Sequence, residues 1–165
     1  MKVVIIGGGS IGLATALVCY RAGHGVTIFD PAGFELKRAA LEIDSRVWAL
    51  GPRSQSLLKD LNAWNADDRI CAYQSMRVID ARSDARVDFT DPTLGHVVEA
   101  DWVRNQLLRE VSELDIQCIQ RSVQAITLNG LITVDNDTTV DADLVIFAEG
   151  RIASTAVASG FEIVD

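Results

Sequence analysis

Cysteine and histidine are scarce in this chain. Its 165 residues include 3 cysteines and 2 histidines, and no two cysteines have the C-x-x-C spacing. An odd number of widely separated cysteines argues against a disulfide framework and against a zinc site. We therefore expect no metal, and we expect reduced thiols in a cytoplasmic protein.

Basic residues and long apolar runs are also lacking. The chain has 15 Lys and Arg against 23 Asp and Glu, a formal net charge of −8. Nucleic-acid binding needs a basic face, so we expect no nucleic-acid partner. No run approaches the roughly 20 apolar residues of a membrane-spanning helix, and the N-terminus lacks the pattern of a signal peptide. The length and a hydrophobic content of 48% are those of one globular domain.

The first 30 residues carry the strongest pattern in the chain. Residues 3–6 are all Val or Ile, and residues 26–29 are apolar except for Thr27, which is typical of strands buried on both faces of a parallel sheet. Between them, residues 10–22 have the apolar spacing of a helix, and Gly23 is suited to end it. The order predicts a β-α-β unit.

The remaining chain predicts further helices and strands in one α/β domain over residues 1–165. We expect a parallel sheet flanked by helices, with a β-meander inserted before the last parallel strand. The expected elements are a loop (31–45), helices (52–64, 101–114), strands (76–80, 86–89, 116–119, 144–148), a loop at Asp91-Pro92, a hairpin (123–128 with 131–134, turning at Asn129-Gly130) and a short helix within 151–165.

Glycines between the first strand and the first helix form the pattern G-x-G-x-x-G as Gly7, Gly9 and Gly12. Gly7 would let the chain turn off the strand, Gly9 would leave room for a pyrophosphate, and Gly12 would let the helix pack closely. The N–H groups of Ser10, Ile11 and Gly12 would have no partner within the helix and would point at the anion. The context predicts dinucleotide binding.

An acid ends the second predicted strand. Asp30 lies 23 positions after Gly7, where a carboxylate can accept hydrogen bonds from both hydroxyls of an adenosine ribose. The same charge would repel a 2′-phosphate, which disfavours NADP at this position. The β-α-β unit does not distinguish NAD from FAD, because both cofactors use it.

Three segments carry a resemblance to a known family. SRVWALGPRSQSLLKDLNAW (45–64), VVEADWVRNQLLREV (97–111) and DADLVIFAEG (141–150) occur in this order after the glycine loop. Together they resemble the FAD-dependent aromatic hydroxylases. Within that family the chain is most similar to the ubiquinone-biosynthesis hydroxylases that act on polyprenyl phenols.

The resemblance implies FAD as the cofactor and NAD(P)H as its reductant. It implies that one atom of oxygen is transferred to an electron-rich aromatic or quinol-type small molecule. Peripheral membrane or multi-enzyme association is compatible with such substrates, and the oligomeric state is left open. Catalytic side chains are not identified, since the flavin supplies the difficult chemistry in such enzymes.

The resemblance also implies cofactor contacts beyond the glycine loop and Asp30. Arg46 would approach the flavin or the phosphates, and Arg104 would do the same from its helix. The backbone around Val123 would meet the adenine. Glu149 and Gly150 occupy the positions of the family's Ala-Asp-Gly motif, so they too are predicted to lie at the cofactor.

The chain departs from the family pattern at two places. Glu149 replaces the usual aspartate, and Ala153 stands where the family has serine. The chain ends at Asp165, whereas the family continues into a substrate-covering β-sheet and a second Gly-Asp motif. The prediction is therefore an incomplete FAD-binding domain. The alternative is a non-catalytic dinucleotide-binding module, while an NAD-dependent dehydrogenase is disfavoured by the Arg46 segment.

Overall fold

The computed structural model describes residues 1–37, 43–65, 69–127, 130–134, 138–150, 155, 159 and 160. The chain divides into a first unit, residues 1–36 with 107–165, and a second unit, residues 37–106. The elements are, in chain order, β1 (Lys2–Ile6), α1 (Ser10–Arg21), β2 (Gly25–Phe29), β3 (Val47–Leu50), α2 (Pro52–Asp60), β4 (Ile70–Ile79), β5 (Arg86–Glu99), α3 (Ala100–Ser112), β6 (Gln117–Ile119), β7 (Val123–Ile126), β8 (Leu131–Val134), β9 (Thr138–Asp141) and β10 (Leu144–Phe147).

The first unit is built on a parallel sheet with the strand order β10-β1-β2-β6. Val4, Ile6 and Phe29 face a core that they share with apolar residues of β7 and β8. Because side chains alternate along a strand, Val3 and Ile5 face the opposite side of the sheet. There α1 packs on β1 and β2 and buries Leu13, Ala16 and Leu17. The expected α/β fold, with a parallel sheet and flanking helix, is confirmed.

The first helix ends at the glycine that the sequence indicates. Gly23 has a φ of 82° and donates its N–H to the Tyr20 carbonyl (2.9 Å), while His24 donates to Cys19 (3.2 Å). These two bonds make a Schellman motif, which satisfies carbonyls at the end of the helix. The chain is thereby turned directly into β2.

The meander precedes the last parallel strand, as expected. Strands β7, β8 and β9 pair antiparallel in that order and lie between β6 and β10 in the chain. The predicted hairpin is its first half, and β9 is an additional strand. Gly130 has a φ of 78°, while Asn129 and most of 151–165 lie outside the described residues.

The second unit contains an antiparallel sheet with the order β3-β5-β4. Two predictions are wrong here, because β4 and β5 are long and β5 continues through Asp91-Pro92. Tyr73 pairs with Gly95 and Ser75 with Thr90, so residues 91–94 bulge opposite a single residue. Within that bulge Pro92, which lacks an N–H, needs no partner in the ladder.

No helix among the described residues has the length and apolar content needed to cross a membrane.

Candidate functional site

At the glycine loop, the backbones of three segments of the first unit pack against one another with no side chain between them. Gly7 has a φ of 110° and donates its N–H to the Phe29 carbonyl at 2.8 Å. A Cβ at Gly7 would collide with the carbonyl oxygen of Ala148, and one at Gly12 would collide with the carbonyl oxygen of Gly7. The start of α1 therefore packs directly on the carboxyl ends of β1 and β10.

Open space lies beside Gly9, the middle glycine of the G-x-G-x-x-G pattern. A Cβ built at Gly9 would meet no atom within 4 Å. Gly9 is the N-cap of α1, it has no capping side chain, and the first turn contains no acid. In the described part of the chain, the N–H groups of Ser10, Ile11 and Gly12 have no hydrogen-bond partner. The helix N-terminus thus presents free donors to a vacant surface, which is the arrangement that binds an anion.

The acid after β2 is held in place by backbone donors. One carboxylate oxygen of Asp30 accepts from the Gly8 N–H at 2.5 Å, and the other accepts from the Ala32 N–H at 2.8 Å. Each oxygen retains a lone pair, so the carboxylate can still accept from ribose hydroxyls. Gly8 was not among the predicted site residues. A Cβ at Gly8 would lie 3.1 Å from a carboxylate oxygen of Asp30, so a side chain there would crowd the carboxylate.

A pocket of about 250 Å³ opens at the carboxyl ends of β1 and β2. β10 and β2 lie on opposite sides of β1, so this is the crevice where open α/β sheets bind ligands. The volume is below the roughly 300–1,000 Å³ of a whole small-molecule site and suits a part such as a nucleobase. Its lining consists of Ile6, Phe29, Pro31, Arg121, Ser122, Val123, Gln124, Glu149 and Thr155.

Glu149, which lines this pocket, binds a residue that the sequence did not indicate. One carboxylate oxygen accepts from the Thr155 hydroxyl at 2.6 Å, and the other accepts from the Thr155 N–H at 3.2 Å. No local motif marks Thr155, because its partner is recognised only once the chain is folded. Gly150 has a φ of 82° and open space at its Cβ position, and Ala153 lies outside the described residues.

The two predicted arginines belong to the second unit. Arg46 places a guanidinium nitrogen 3.0 Å from a carboxylate oxygen of Asp101, and its Nε lies 3.7 Å from Asp44. Its side chain is 65% exposed. Arg104 is buried on α3. Their contacts with a cofactor remain predictions.

Taken together, the first unit fits the adenosine diphosphate part of a dinucleotide. It offers open N–H donors at the start of α1, an acceptor at Asp30 and a base-sized pocket beside Val123. Among the described residues, no group of three or more His, Cys, Asp or Glu side chains is placed to hold a metal ion.

No model of a known protein family matches the chain. Several solved structures are similar to it. The tetrameric form of 2-methyl-3-hydroxypyridine-5-carboxylic acid oxygenase matches with a TM-score of 0.76 and 17% identity, over 98% of this chain and 42% of that protein. FqzB matches with a TM-score of 0.68 and 20% identity, over 95% and 38% of the two chains.

A third similar structure contains a cofactor. CtdE in complex with FAD and substrate 4 matches with a TM-score of 0.60 and 22% identity, over 91% of this chain and 38% of CtdE. The chain thus spans about 38–42% of the length of these proteins. Its fold is the α/β fold that this portion of an oxygenase and of an FAD-bound protein share.

Proposed function

We propose that this chain is the FAD-binding part of a flavin-dependent hydroxylase of aromatic compounds. The observation that carries the proposal is the pairing of open N–H donors at Ser10, Ile11 and Gly12 with a backbone-held Asp30. This pairing occurs in a fold that is also found in an oxygenase and in FAD-bound CtdE.

In this proposal the residues of the first unit hold the adenosine diphosphate part of FAD. The N–H groups of Ser10, Ile11 and Gly12 bind the pyrophosphate, and Asp30 accepts from the ribose hydroxyls. The backbone at Val123 borders the adenine. When bound, FAD supplies the redox chemistry of oxygen transfer, and the protein residues named here bind and orient it.

The substrate class and the reductant are the finer part of the proposal. The similar oxygenase acts, by its name, on a hydroxylated aromatic ring, which supports an aromatic substrate. A polyprenyl phenol of ubiquinone biosynthesis, with NAD(P)H as reductant, is supported only by the resemblance that residues 45–64, 97–111 and 141–150 carry. Arg46 in that segment, oriented by Asp101 and Asp44, is then the residue of the second unit that approaches the flavin or its phosphates.

The first test is cofactor binding by the purified chain. The chain is mixed with FAD, NAD or NADP, passed through a gel-filtration column and examined by visible and ultraviolet absorbance. We expect FAD to co-elute and NADP to be lost. Retention of NAD with loss of FAD would contradict the proposal.

Hydroxylation is tested on the longest natural form of the protein, since the chain spans 42% of the similar oxygenase. We expect phenols to stimulate NAD(P)H oxidation and oxygen uptake, with a stronger effect as prenyl units are added. Equal stimulation by phenol and by prenylated phenols would contradict the polyprenyl assignment while leaving the hydroxylase assignment intact.

A second candidate function is a dinucleotide-binding module without turnover. It is favoured by Glu149, whose two carboxylate oxygens both accept from Thr155. Tight FAD binding without phenol-stimulated oxygen uptake in the longest natural form would support this alternative.

A further inference from the structure

Thr155 lies where the predicted adenosine pocket meets the acid after β10. Its residue surface is only 6% exposed, and it lines the pocket together with Val123 and Glu149. Its hydroxyl is 2.6 Å from a Glu149 carboxylate oxygen and 3.3 Å from the Val123 carbonyl oxygen. Since a threonine hydroxyl has a single proton, it donates to Glu149, the nearer acceptor. The backbone N–H of Thr155 donates to the second carboxylate oxygen at 3.2 Å.

The backbone of Glu149 lies beside the glycine loop, and Glu149 lines the pocket at the carboxyl ends of β1 and β2. A Cβ built at Gly7 would lie 3.0 Å from the Glu149 backbone nitrogen, so this acid adjoins the glycine loop. A Glu149 carboxylate that was free to turn toward the glycine loop would repel a pyrophosphate bound there, because like charges repel strongly where water is partly excluded. Instead, the hydroxyl and the backbone N–H of Thr155 each donate to one carboxylate oxygen, so the carboxylate is not free to rotate.

We propose that Thr155 is a positioning residue for adenosine diphosphate groups, which acts by holding the Glu149 carboxylate away from the pyrophosphate. The proposal rests on the proposed function, because it concerns the same cofactor site. It assigns a role to a residue that no motif of the sequence marks. It also explains how an acid is tolerated at a site that binds a dianion.

A neighbouring serine provides a matched control. Ser159 donates its hydroxyl to the Thr155 carbonyl at 2.7 Å and accepts from the Ile126 N–H at 2.9 Å. It ties the same segment to β7 but does not line the pocket. A change at Ser159 therefore weakens this segment without releasing Glu149.

The experiment is calorimetric titration of ADP and of FAD into the wild-type chain and four variants. Thr155→Val should weaken the binding of both ligands roughly tenfold, because the released Glu149 carboxylate then repels their pyrophosphate. Thr155→Ser should bind as wild type. The double variant Thr155→Val with Glu149→Gln should recover to within about threefold of wild type, because the repelling charge is gone. Ser159→Ala should lower Tm and leave the ADP affinity unchanged.

The dependence of ligand affinity on salt concentration is a second readout, which loss of structure alone would not produce. The defect of Thr155→Val should shrink as ionic strength rises, because charge repulsion is screened. If Thr155→Val is too unstable to titrate, Thr155→Ala removes the same hydroxyl without adding a methyl group and replaces it in the series.

The outcomes separate this inference from the proposed function. Wild-type protein that binds neither ADP nor FAD would overturn the proposed function and this inference with it. Wild-type binding with an unchanged Thr155→Val affinity would overturn the inference only. A Thr155→Val defect that Glu149→Gln does not relieve would also overturn it.

Discussion

The two units differ in how far the apolar side chains of their strands are buried. In β1, residues 3–6 are between 0% and 4% exposed, because α1 and the meander cover the two faces. On the β4–β5 hairpin of the second unit, Met76, Val78, Val87 and Phe89 are between 43% and 52% exposed. Met76 pairs with Phe89 and Val78 with Val87, so these four side chains share one face. Apolar composition therefore does not by itself reveal which strands are buried.

The second unit instead buries a network of charges. Asp44 is buried and accepts from the backbone N–H groups of Arg46 (2.9 Å) and Asp101 (3.1 Å). Its own N–H donates to Glu99, which also pairs with Arg69 at 2.7 Å. The second unit thus adds charged hydrogen bonds around the start of α3 to its own buried apolar residues, such as Leu61, Val98 and Val103.

The largest effect is expected at the acid of the first unit. Asp30→Ala removes a charged acceptor of two hydrogen bonds, so FAD affinity should fall by about 100-fold or more. Absorbance titration with FAD measures this loss. Asp143→Ala is the control, because it removes a carboxylate that accepts from the Lys2 N–H near the start of β10. Equal affinities for the two variants would contradict the proposed role of Asp30.

Two glycines of the same loop should respond differently to one added methyl group. Gly12→Ala forces a Cβ into the Gly7 carbonyl oxygen and should lower the free energy of unfolding by about 2–3 kcal/mol. Gly9→Ala meets no atom within 4 Å and should cost less than about 1 kcal/mol. It should nevertheless weaken FAD by about tenfold, because the methyl group fills space beside the open N–H donors. Urea unfolding measures the stability of the two variants, and FAD titration measures their affinity. A larger loss of stability for Gly9→Ala than for Gly12→Ala would contradict the geometry.

The charged network of the second unit is tested at its most buried acid. Asp44→Ala leaves the N–H groups of Arg46 and Asp101 without their acceptor, so the free energy of unfolding should fall by about 1–3 kcal/mol. Asp91→Ala is the control, since it removes an exposed acid that accepts from Thr93 at 2.8 Å. Urea unfolding compares the two. If Asp44→Ala costs no more than Asp91→Ala, the network does not stabilise the unit.

A matched pair of valines tests the contrast in coverage directly. Val4→Thr places a hydroxyl in the core of the first unit and should cost about 1–2 kcal/mol. Val78→Thr, on the exposed hairpin face, should cost less than about 0.5 kcal/mol. It should also lower binding of the dye ANS, because it reduces an exposed apolar patch. Equal costs in thermal unfolding would show that the hairpin face is covered in solution.

The smallest effect is expected at the turn between β4 and β5. The Arg82 N–H and then the Ser83 hydroxyl lower the pKa of the exposed Asp80 carboxyl. A lowered folded-state pKa stabilises the fold above the unfolded pKa, and this contribution is lost as pH falls through the folded value. In an NMR titration, Ser83→Ala should raise the Asp80 pKa toward its ordinary value. Ser112→Ala, whose hydroxyl donates to Arg109, should leave it unchanged, and no rise with Ser83→Ala would contradict the assignment.

The sequence predicted the parts of the fold that local physics determines. Residues 3–6 of β1 and all of β10 are apolar, β2 is apolar at Val26, Ile28 and Phe29, and Gly23 ends α1 through its positive φ. The face of α1 was harder to predict, because apolar residues surround the helix. Ile11 shares the apolar spacing but is 72% exposed, while Leu13 is buried.

Contacts that form only in the folded chain limited the other predictions. The extent of β4 and β5 depends on the bulge at residues 91–94, which exists only when the strands pair. Thr155 and Gly8 could not be identified as site residues, because their partners Glu149 and Asp30 are brought to them by folding. Glycine spacing and the acid after β2 were sufficient to locate the loop and its carboxylate.

In the proposed cofactor site, the hydrogen bond from Gly8 to Asp30 would couple the choice of nucleotide to the shape of the loop. A substitution that removes the acid in order to admit a 2′-phosphate would also release the backbone of the glycine loop. Evolution or engineering of nucleotide preference at this position would therefore need a second change that braces Gly8 again. A single replacement of Asp30 is expected to yield a protein that binds neither nucleotide well.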